Sequence, residues 1–313
     1  MSRVLAVGLC CLIGFCSCSK VQRGKWNYKR GNYKKAVMLL ELAARNDASN
    51  VKAATYLVLA QSGLKTDQAA EKIKTGDFES SLALLNDAIN LDPKNQDAQV
   101  LFKEAVEKTA AAIENAYLPA GDWSRVLSLC DAAEANNADN AAILTARAKA
   151  LLQLEKGVHT YKVVMALDKA SKKAPDDPFV KEELARVRAL SVPFEALFHK
   201  YQQALVTKNV AIWKSIIQPK YQTAAEAVVR EFADMKYDAV RNLNEYFAEL
   251  CNDLTKYGSP QGGELVCVEP LSETRGFVHF TYADLPKVIR MEIEPSGGVL
   301  KLYKEEDSPI VKP

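Results

Sequence analysis

The sequence predicts a mainly α-helical chain: a solenoid of helical repeats followed by a smaller α+β domain with about four antiparallel strands. Three observations predict this. A glycine–x–aromatic signature recurs at a fixed 45-residue interval in the N-terminal half. A long apolar stripe of helical period follows Pro219. After Gly258-Ser259-Pro260 the period drops to two, the mark of half-buried strands.

The repeat comes first, because a missed period misassigns the whole fold. Gly31-Asn32-Tyr33, Gly76-Asp77-Phe78 and Gly121-Asp122-Trp123 align without gaps. Ala36, Ser81 and Val126 follow at one fixed offset, Leu40, Leu85 and Cys130 at the next, and Ala43, Ala88 and Ala133 after those. Each copy then reaches a turn, 46–50, 91–95 or 137–140. The glycine permits a tight turn between antiparallel helices, and the small residues let neighbouring helices approach closely. A weaker fourth copy fits Thr160, Val163, Leu167, Ala170 and Pro175, with its glycine displaced to Gly157.

This pattern of Gly-x-aromatic, small, apolar, Ala and a closing turn resembles the second helix of the tetratricopeptide repeat. That family's period is about 34 residues. The eleven or so extra residues correspond to roughly three helical turns, and they predict either a lengthened first helix or an extra short one. Gln96–Tyr117 reads as one such helix, whereas Ser62-Gly63 is expected to break its counterpart over 51–75. The resemblance implies a concave face lined by first helices that binds peptides or helices of other proteins. Mapped onto this chain, the groove positions are Lys25, Tyr28, Lys29, Lys74, Lys108 and Asn115. A groove rich in lysine would favour an acidic segment carrying one or two apolar residues.

The N-terminus reads as an address. Arg3 precedes the uninterrupted small-and-apolar run from Val4 to Phe15, which has the length of a signal-peptide core and is too short to span a bilayer. The sequence Phe15-Cys16-Ser17-Cys18 resembles a relaxed bacterial lipobox, with Phe where the family prefers Leu. The resemblance implies cleavage after residue 17, a lipid on Cys18, and an outer-membrane lipoprotein facing the periplasm. A basic stretch follows, Lys20, Arg23, Lys25, Lys29, Arg30, Lys34 and Lys35, with no acid before Glu41. It fits either a solvated helix face or a surface lying against anionic headgroups.

The predicted organisation is therefore a signal peptide over 1–17, repeats over 18–190, an α+β domain over 191–307 and a disordered tail over 308–313. Ser191-Val192-Pro193 is expected to close the array and to start a new helix from Phe194 to Val206. A short helix over 210–217 and one long amphipathic helix through Ala225, Val228, Phe232, Met235, Ala239, Leu243, Phe247, Leu250 and Leu254 come next. Strands are expected at 265–268, 276–282, 288–294 and 299–303, the last two joined at Gly297-Gly298. This order of elements, with the phrase running from Tyr201 to Trp213, resembles the nuclear transport factor 2-like superfamily, in which a sheet curls around helices into a cone.

Composition limits the function. Hydrophobic residues make up 48% of the 313 and charged residues 26%, an ordinary globular balance. A net charge of +2 gives no support to a nucleic-acid partner. Only His159, His199 and His279 are present, far apart, and no CxxC spacing occurs, so no metal or redox site is visible. Cys251 and Cys267 are left either free or paired. No nucleophile elbow, P-loop, HExxH or dinucleotide fingerprint occurs. The expectation is a non-enzymatic scaffold without cofactor or metal, anchored to the membrane by its lipid and binding other proteins or peptides. The alternative is a lipoprotein whose C-terminal cone holds or transforms a small ligand, with His279, Asp284 and Tyr282 as the polar residues nearby. His279 and Tyr282 fall on opposite faces of their strand. A fatty-acid analogue fed to expressing bacteria should label the wild type and not Cys18→Ala; equal labelling would remove the anchor.

Overall fold

The computed structural model describes residues 20–234, 240–256, 263–284, 287–297 and 299–307, and of 232–234 and 303–307 only the backbone course. Cys18 and its lipobox, the signal segment and the tail 308–313 lie outside the described residues. The chain is mainly α-helical with a four-stranded antiparallel sheet at its C-terminal end. It divides into two compact units, Met1–Ala146 and Arg147–Pro313.

In the first unit, helix α1 (described over 20–29) and α2 (Tyr33–Asn46) form a hairpin, followed by α3 (Val51–Lys74), α4 (Phe78–Leu91), α5 (Gln96–Ala112) and α7 (Trp123–Ala135). Between α5 and α7 lie a wide turn, Ile113–Tyr117, and the single turn α6 (Leu118–Ala120). The turn widens because Pro119 carries no N–H and its ring would crowd the carbonyl four residues back. The Leu118 N–H accordingly bonds the carbonyl of Ile113, five residues back.

The repeat is visible at the level of single hydrogen bonds. Gly31, Gly76 and Gly121 take φ of +74°, +76° and +69°, a conformation in which a Cβ would be strained. At each, the residue after the glycine donates its N–H to the carbonyl five residues back: Asn32 to Asn27, Asp77 to Lys72 and Asp122 to Tyr117. This is the Schellman closure, which satisfies the orphaned carbonyls of the preceding helix. Asp77 and Asp122 then cap the next helix through the N–H groups of Ser80 and Arg125. Ala36, Ser81, Val126, Leu40, Leu85, Ala43, Ala88 and Ala133 are all fully buried and Cys130 is 2% exposed, so the aligned positions face inward in every copy.

Helix α3 runs unbroken through Ser62-Gly63, contrary to the expected break. Both residues are buried because they are small where helices meet. A Cβ on Gly63 would lie 2.5 Å from the Tyr33 ring. The Ser62 hydroxyl donates to the carbonyl of Ala88 (2.8 Å) and accepts from the Asn95 amide (2.8 Å), which also reaches Thr66 (3.2 Å). Asn95 additionally caps α5 at the Ala98 N–H. Glu79 at the start of α4 accepts from both Arg125 (2.7 Å) and Ser128 of α7, and these bonds hold its carboxyl below the usual range.

Helix α8 (Ala141–Leu154) crosses the division between the units, with 14 residues against 24 in α3. It lacks roughly three turns, which is why the fourth glycine stands early. The second unit continues with α9 (Tyr161–Lys173), α10 (Pro178–Val206), α11 (Val210–Ile216), α12 (Pro219–Asp234), α13 (Leu243–Lys256) and strands β1 (Glu264–Pro270), β2 (Gly276–Thr281), β3 (Val288–Ser296) and β4 (Val299–Asp307). The sheet is a meander in chain order, bulged at Leu265/Cys267 and at Glu292/Ile293.

Two boundaries are corrected. Pro193 does not start a helix after position 190 but sits inside α10. Val180, Glu183, Val187, Ser191, Phe194, Phe198, Tyr201 and Leu205 form one buried stripe in phase across it, and this burial outweighs the bond that proline removes. The single long helix expected after Pro219 is two. Asn242 caps α13 by accepting from the N–H of Glu245, whose carboxylate reaches back to the Arg241 N–H just before the cap, and this starts α13 afresh.

The sheet has filled space on both faces. Val278 and Phe280 join Phe198, Tyr201, Trp213, Phe247 and Cys251 in one core. Cys267 packs on the other side with Val163, Leu167 and Val187. All three described cysteines are free, and the sheet between Cys251 and Cys267 settles the open pairing against a disulfide.

Asn50 and Asn95 provide a test of the buried polar bridge. Asn50→Ala loses a helix cap and should lower stability by about 1 kcal/mol. Asn95→Ala also strips a partner from Ser62 and Thr66 and should cost about 2–3 kcal/mol. Chemical denaturation of both variants checks the difference; equal losses would deny the bridge any weight.

Candidate functional site

The positions expected to line a groove fall into two groups. Lys25 and Tyr28 of α1 are drawn into an aromatic cluster with Tyr33 of α2 and Tyr56 of α3. The Tyr28 ring lies 5.9 Å from Tyr33 at 52° and 6.0 Å from Tyr56 at 60°, and the Lys25 ammonium sits 5.0 Å from the Tyr56 ring centre. Edge-on aromatic pairs and a cation over a ring face are both favourable arrangements. All four side chains remain partly exposed.

Each ring is placed by the repeat. Tyr33 follows Gly31 and rests on the bare backbone of Gly63. Tyr28 occupies the last full turn of α1 before that glycine, and Tyr56 the second turn of α3, whose Ala53 and Ala60 are fully buried. Tyr28, Tyr56 and Leu57 pack against the cluster of Val21, Ala36, Leu40, Ala43, Ala53 and Ala60.

Burial sets the electrostatics first, and nearby carboxylates add to it. Desolvation first, then the charge of Asp92 and the neighbouring Tyr56, pushes the Tyr28 phenol above its ordinary value. Tyr33 is raised in the same way by desolvation, Asp67, Tyr28 and Asp97. The Asp67 carboxyl is itself pushed up by desolvation although the residue as a whole stays exposed. Tyr28 and Tyr33 therefore stay neutral and present hydroxyls as well as ring faces.

The remaining positions are not brought into this cluster by any contact. Lys74 pairs with Glu71 (2.6 Å) and Lys108 with Glu104 (2.7 Å), each one turn away on its own helix. Asn115 lies in the wide turn and donates to the Ala111 carbonyl (2.9 Å), while Lys29 is exposed. Two of the lysines expected to line a groove thus have neighbours of opposite sign, and Asp67, Asp92 and Asp97 act on the tyrosines. Sequence reasoning missed Tyr33, Tyr56 and the three aspartates. The signal for Tyr33 was present, since it is the aromatic of the first Gly-x-aromatic motif.

In the second unit His279 is fully buried on the sheet face away from Phe280 and bonds Glu269 on the adjacent strand (3.0 Å). Tyr161 of α9 packs 6.2 Å from its ring. His159 is likewise buried against Glu183 of α10 (2.8 Å), whose other oxygen accepts from Arg186. Both histidines tie structural elements together. Burial pushes the Cys267 thiol up to about 12, aided by Glu269, so it is not a nucleophile at neutral pH. Among the described residues no three His, Cys, Asp or Glu side chains gather as a metal site, and no helix is long and apolar enough to cross a membrane.

No family model, curated protein or solved structure matches the chain.

Asp67 yields a pH prediction. Its folded carboxyl lies above its unfolded value, so the ionised form opposes folding. That opposition is absent below the usual aspartate range, grows as pH rises through it, and is complete at neutral pH. Asp67→Asn should raise the Tm at pH 7 and leave it unchanged at about pH 3. Thermal melts at the two pH values check this; a lowered Tm at pH 7 would reverse the assignment.

Proposed function

We propose that the protein is a lipid-anchored, non-enzymatic scaffold of the bacterial envelope whose first unit docks a segment of another protein on the Tyr28–Tyr33–Tyr56 cluster. The observation that carries this is the cluster itself: three partly exposed tyrosine rings from three helices, with Lys25 over one of them. Aromatic side chains that are rigidly placed yet still accessible are the groups that dominate protein interfaces, because they bury large area with little loss of side-chain freedom. The regular helix hairpins give the support, since stacked repeats present extended surfaces formed from successive first helices.

The ligand this site suits is an amphipathic segment with one or two apolar side chains for the rings. It would carry polar or charged groups of both signs, matching Lys25 on one side and Asp67, Asp92 and Asp97 on the other. The side chains that fill the second unit, Phe198, Tyr201, Trp213, Phe247 and Phe280, support a packing role there over a ligand-holding cone.

Photo-crosslinking groups placed at Tyr28 and Tyr56 in the intact protein should capture the same partner. Against that purified partner, Tyr56→Ala should speed dissociation by about tenfold or more. Lys74→Ala and Lys108→Ala should change association by less than about twofold, since each cation already has a neighbouring carboxylate. Dissociation that ignores Tyr56→Ala would move the partner site elsewhere.

A further inference from the structure

We infer that the outward face of α1, continued by α2, is a docking surface for anionic phospholipid, distinct from the aromatic cluster on the inner side of the same hairpin. Turning by about 100° per residue, α1 buries Val21, Gly24 and Asn27 and leaves Arg23, Trp26, Lys29 and Arg30 exposed. Trp26 stands at the centre of that face with 55% of its surface accessible, and the Arg30 guanidinium stacks 4.4 Å from its ring centre. On α2, Lys34, Lys35, Met38 (53% exposed), Leu42 (40%) and Arg45 are exposed in turn.

Two features separate this face from an ordinary solvated end of a repeat array. A capping helix needs only a polar exterior, and an exposed tryptophan at its centre contradicts that need. The cations are also uncompensated. Among the described residues, Lys20, Arg23, Lys29, Arg30, Lys34 and Lys35 form no ion pair, whereas Lys65, Lys72, Lys74, Lys108, Arg125 and Lys172 each have a carboxylate partner. Separated cations around a tryptophan and flexible apolar side chains suit a bilayer surface. The indole ring settles at headgroup depth, methionine and leucine reach the acyl boundary, and each lysine or arginine meets a phosphate. Gly24 contributes by letting α1 lie flat on α2, since a Cβ there would come within 2.6 Å of Leu40, and this fixes the two faces in one rigid hairpin. The inference rests on the proposed envelope location for its choice of phospholipid, but not on acylation of Cys18.

The test uses the full chain carrying Cys18→Ser, so that no acyl chain contributes, mixed with vesicles of phosphatidylcholine alone or with about one-third phosphatidylglycerol. Sedimentation should show binding that depends on the anionic lipid and falls steeply between about 50 mM and about 0.5 M salt. Arg23→Glu, Lys29→Glu and Arg30→Glu combined should lose about a hundredfold or more of that binding, at roughly fivefold per cation removed. Trp26→Ala should lose several-fold, whereas Lys52→Glu, Lys94→Glu and Lys103→Glu, which change net charge equally at other exposed sites, should lose little. Unchanged melting curves for the charge variants keep the comparison fair. Binding equal on both vesicle types, equal loss in the two triple variants, or tighter capture of polyglutamate or duplex DNA than of the anionic vesicles would each overturn the inference. Fatty-acid labelling of Cys18 is a separate readout, so failure of this face and failure of the anchor are told apart.

Discussion

Three glycines carry the first unit. At Gly31, Gly76 and Gly121 the backbone enters a left-handed conformation that any side chain would disfavour by about 1–2 kcal/mol. That conformation lets the ending helix close its own carbonyls and turns the next residue into the start of another helix. The direction of every following helix depends on this turn. So do the burial of the aligned alanines and leucines and the placing of an aromatic ring two residues later. The tyrosine cluster is a product of it, because Tyr28 lies just before one such turn and Tyr33 just after.

Close approach is the second constraint. Gly24 lies under Leu40, Gly63 under Tyr33, and Ala43, Ala88 and Ala133 have no exposed surface at all. Bulk at these positions would force helices apart by a side chain's width and would remove the support under the rings. In the second unit the same demand is met differently. The sheet packs against a core rich in aromatic side chains on one face and against α9 and α10 on the other, and buried histidine–glutamate pairs join the turn before α9 to α10 and β2 to β1.

Much of this was legible in the sequence, and the exceptions have physical reasons. The repeat register could be read because it depends on residues close together in the chain, and the strands because their period is two. Ser62-Gly63 looks like a helix breaker in isolation, yet its smallness serves a neighbour thirty residues away. Pro193 obeys a local rule that a continuous buried stripe overrides. The start of α13 was readable as Asn242-x-x-Glu245 but was masked by an apolar period that happens to stay in phase across it. The lysine pairings were equally local, since Glu71–Lys74 and Glu104–Lys108 have the spacing of one helical turn. Tyr56 was not legible, because its meeting with Tyr28 depends on how two helices pack rather than on either helix alone.

The carbonyl oxygen of Ala88 accepts two hydrogen bonds, one from the Asp92 N–H that closes α4 (3.0 Å) and one from the Ser62 hydroxyl of α3 (2.8 Å). A helix end usually frays because its last carbonyls exchange freely with water. Here the end of α4 cannot open without also breaking a buried bond to another helix, and Asn95 adds α5 to the same junction. The turn after α2 has only neighbouring residues for its bonds, Asp47 with Ala43, Ser49 and Asn50. The two turns share a sequence pattern but not a bonding pattern. Opening the turn at Asp92 breaks bonds to α3 as well as local ones, whereas opening the turn at Asp47 breaks only local ones. The junction of α3, α4 and α5 is thus tied by bonds between helices, whereas the turn after α2 is tied by its own chain neighbours.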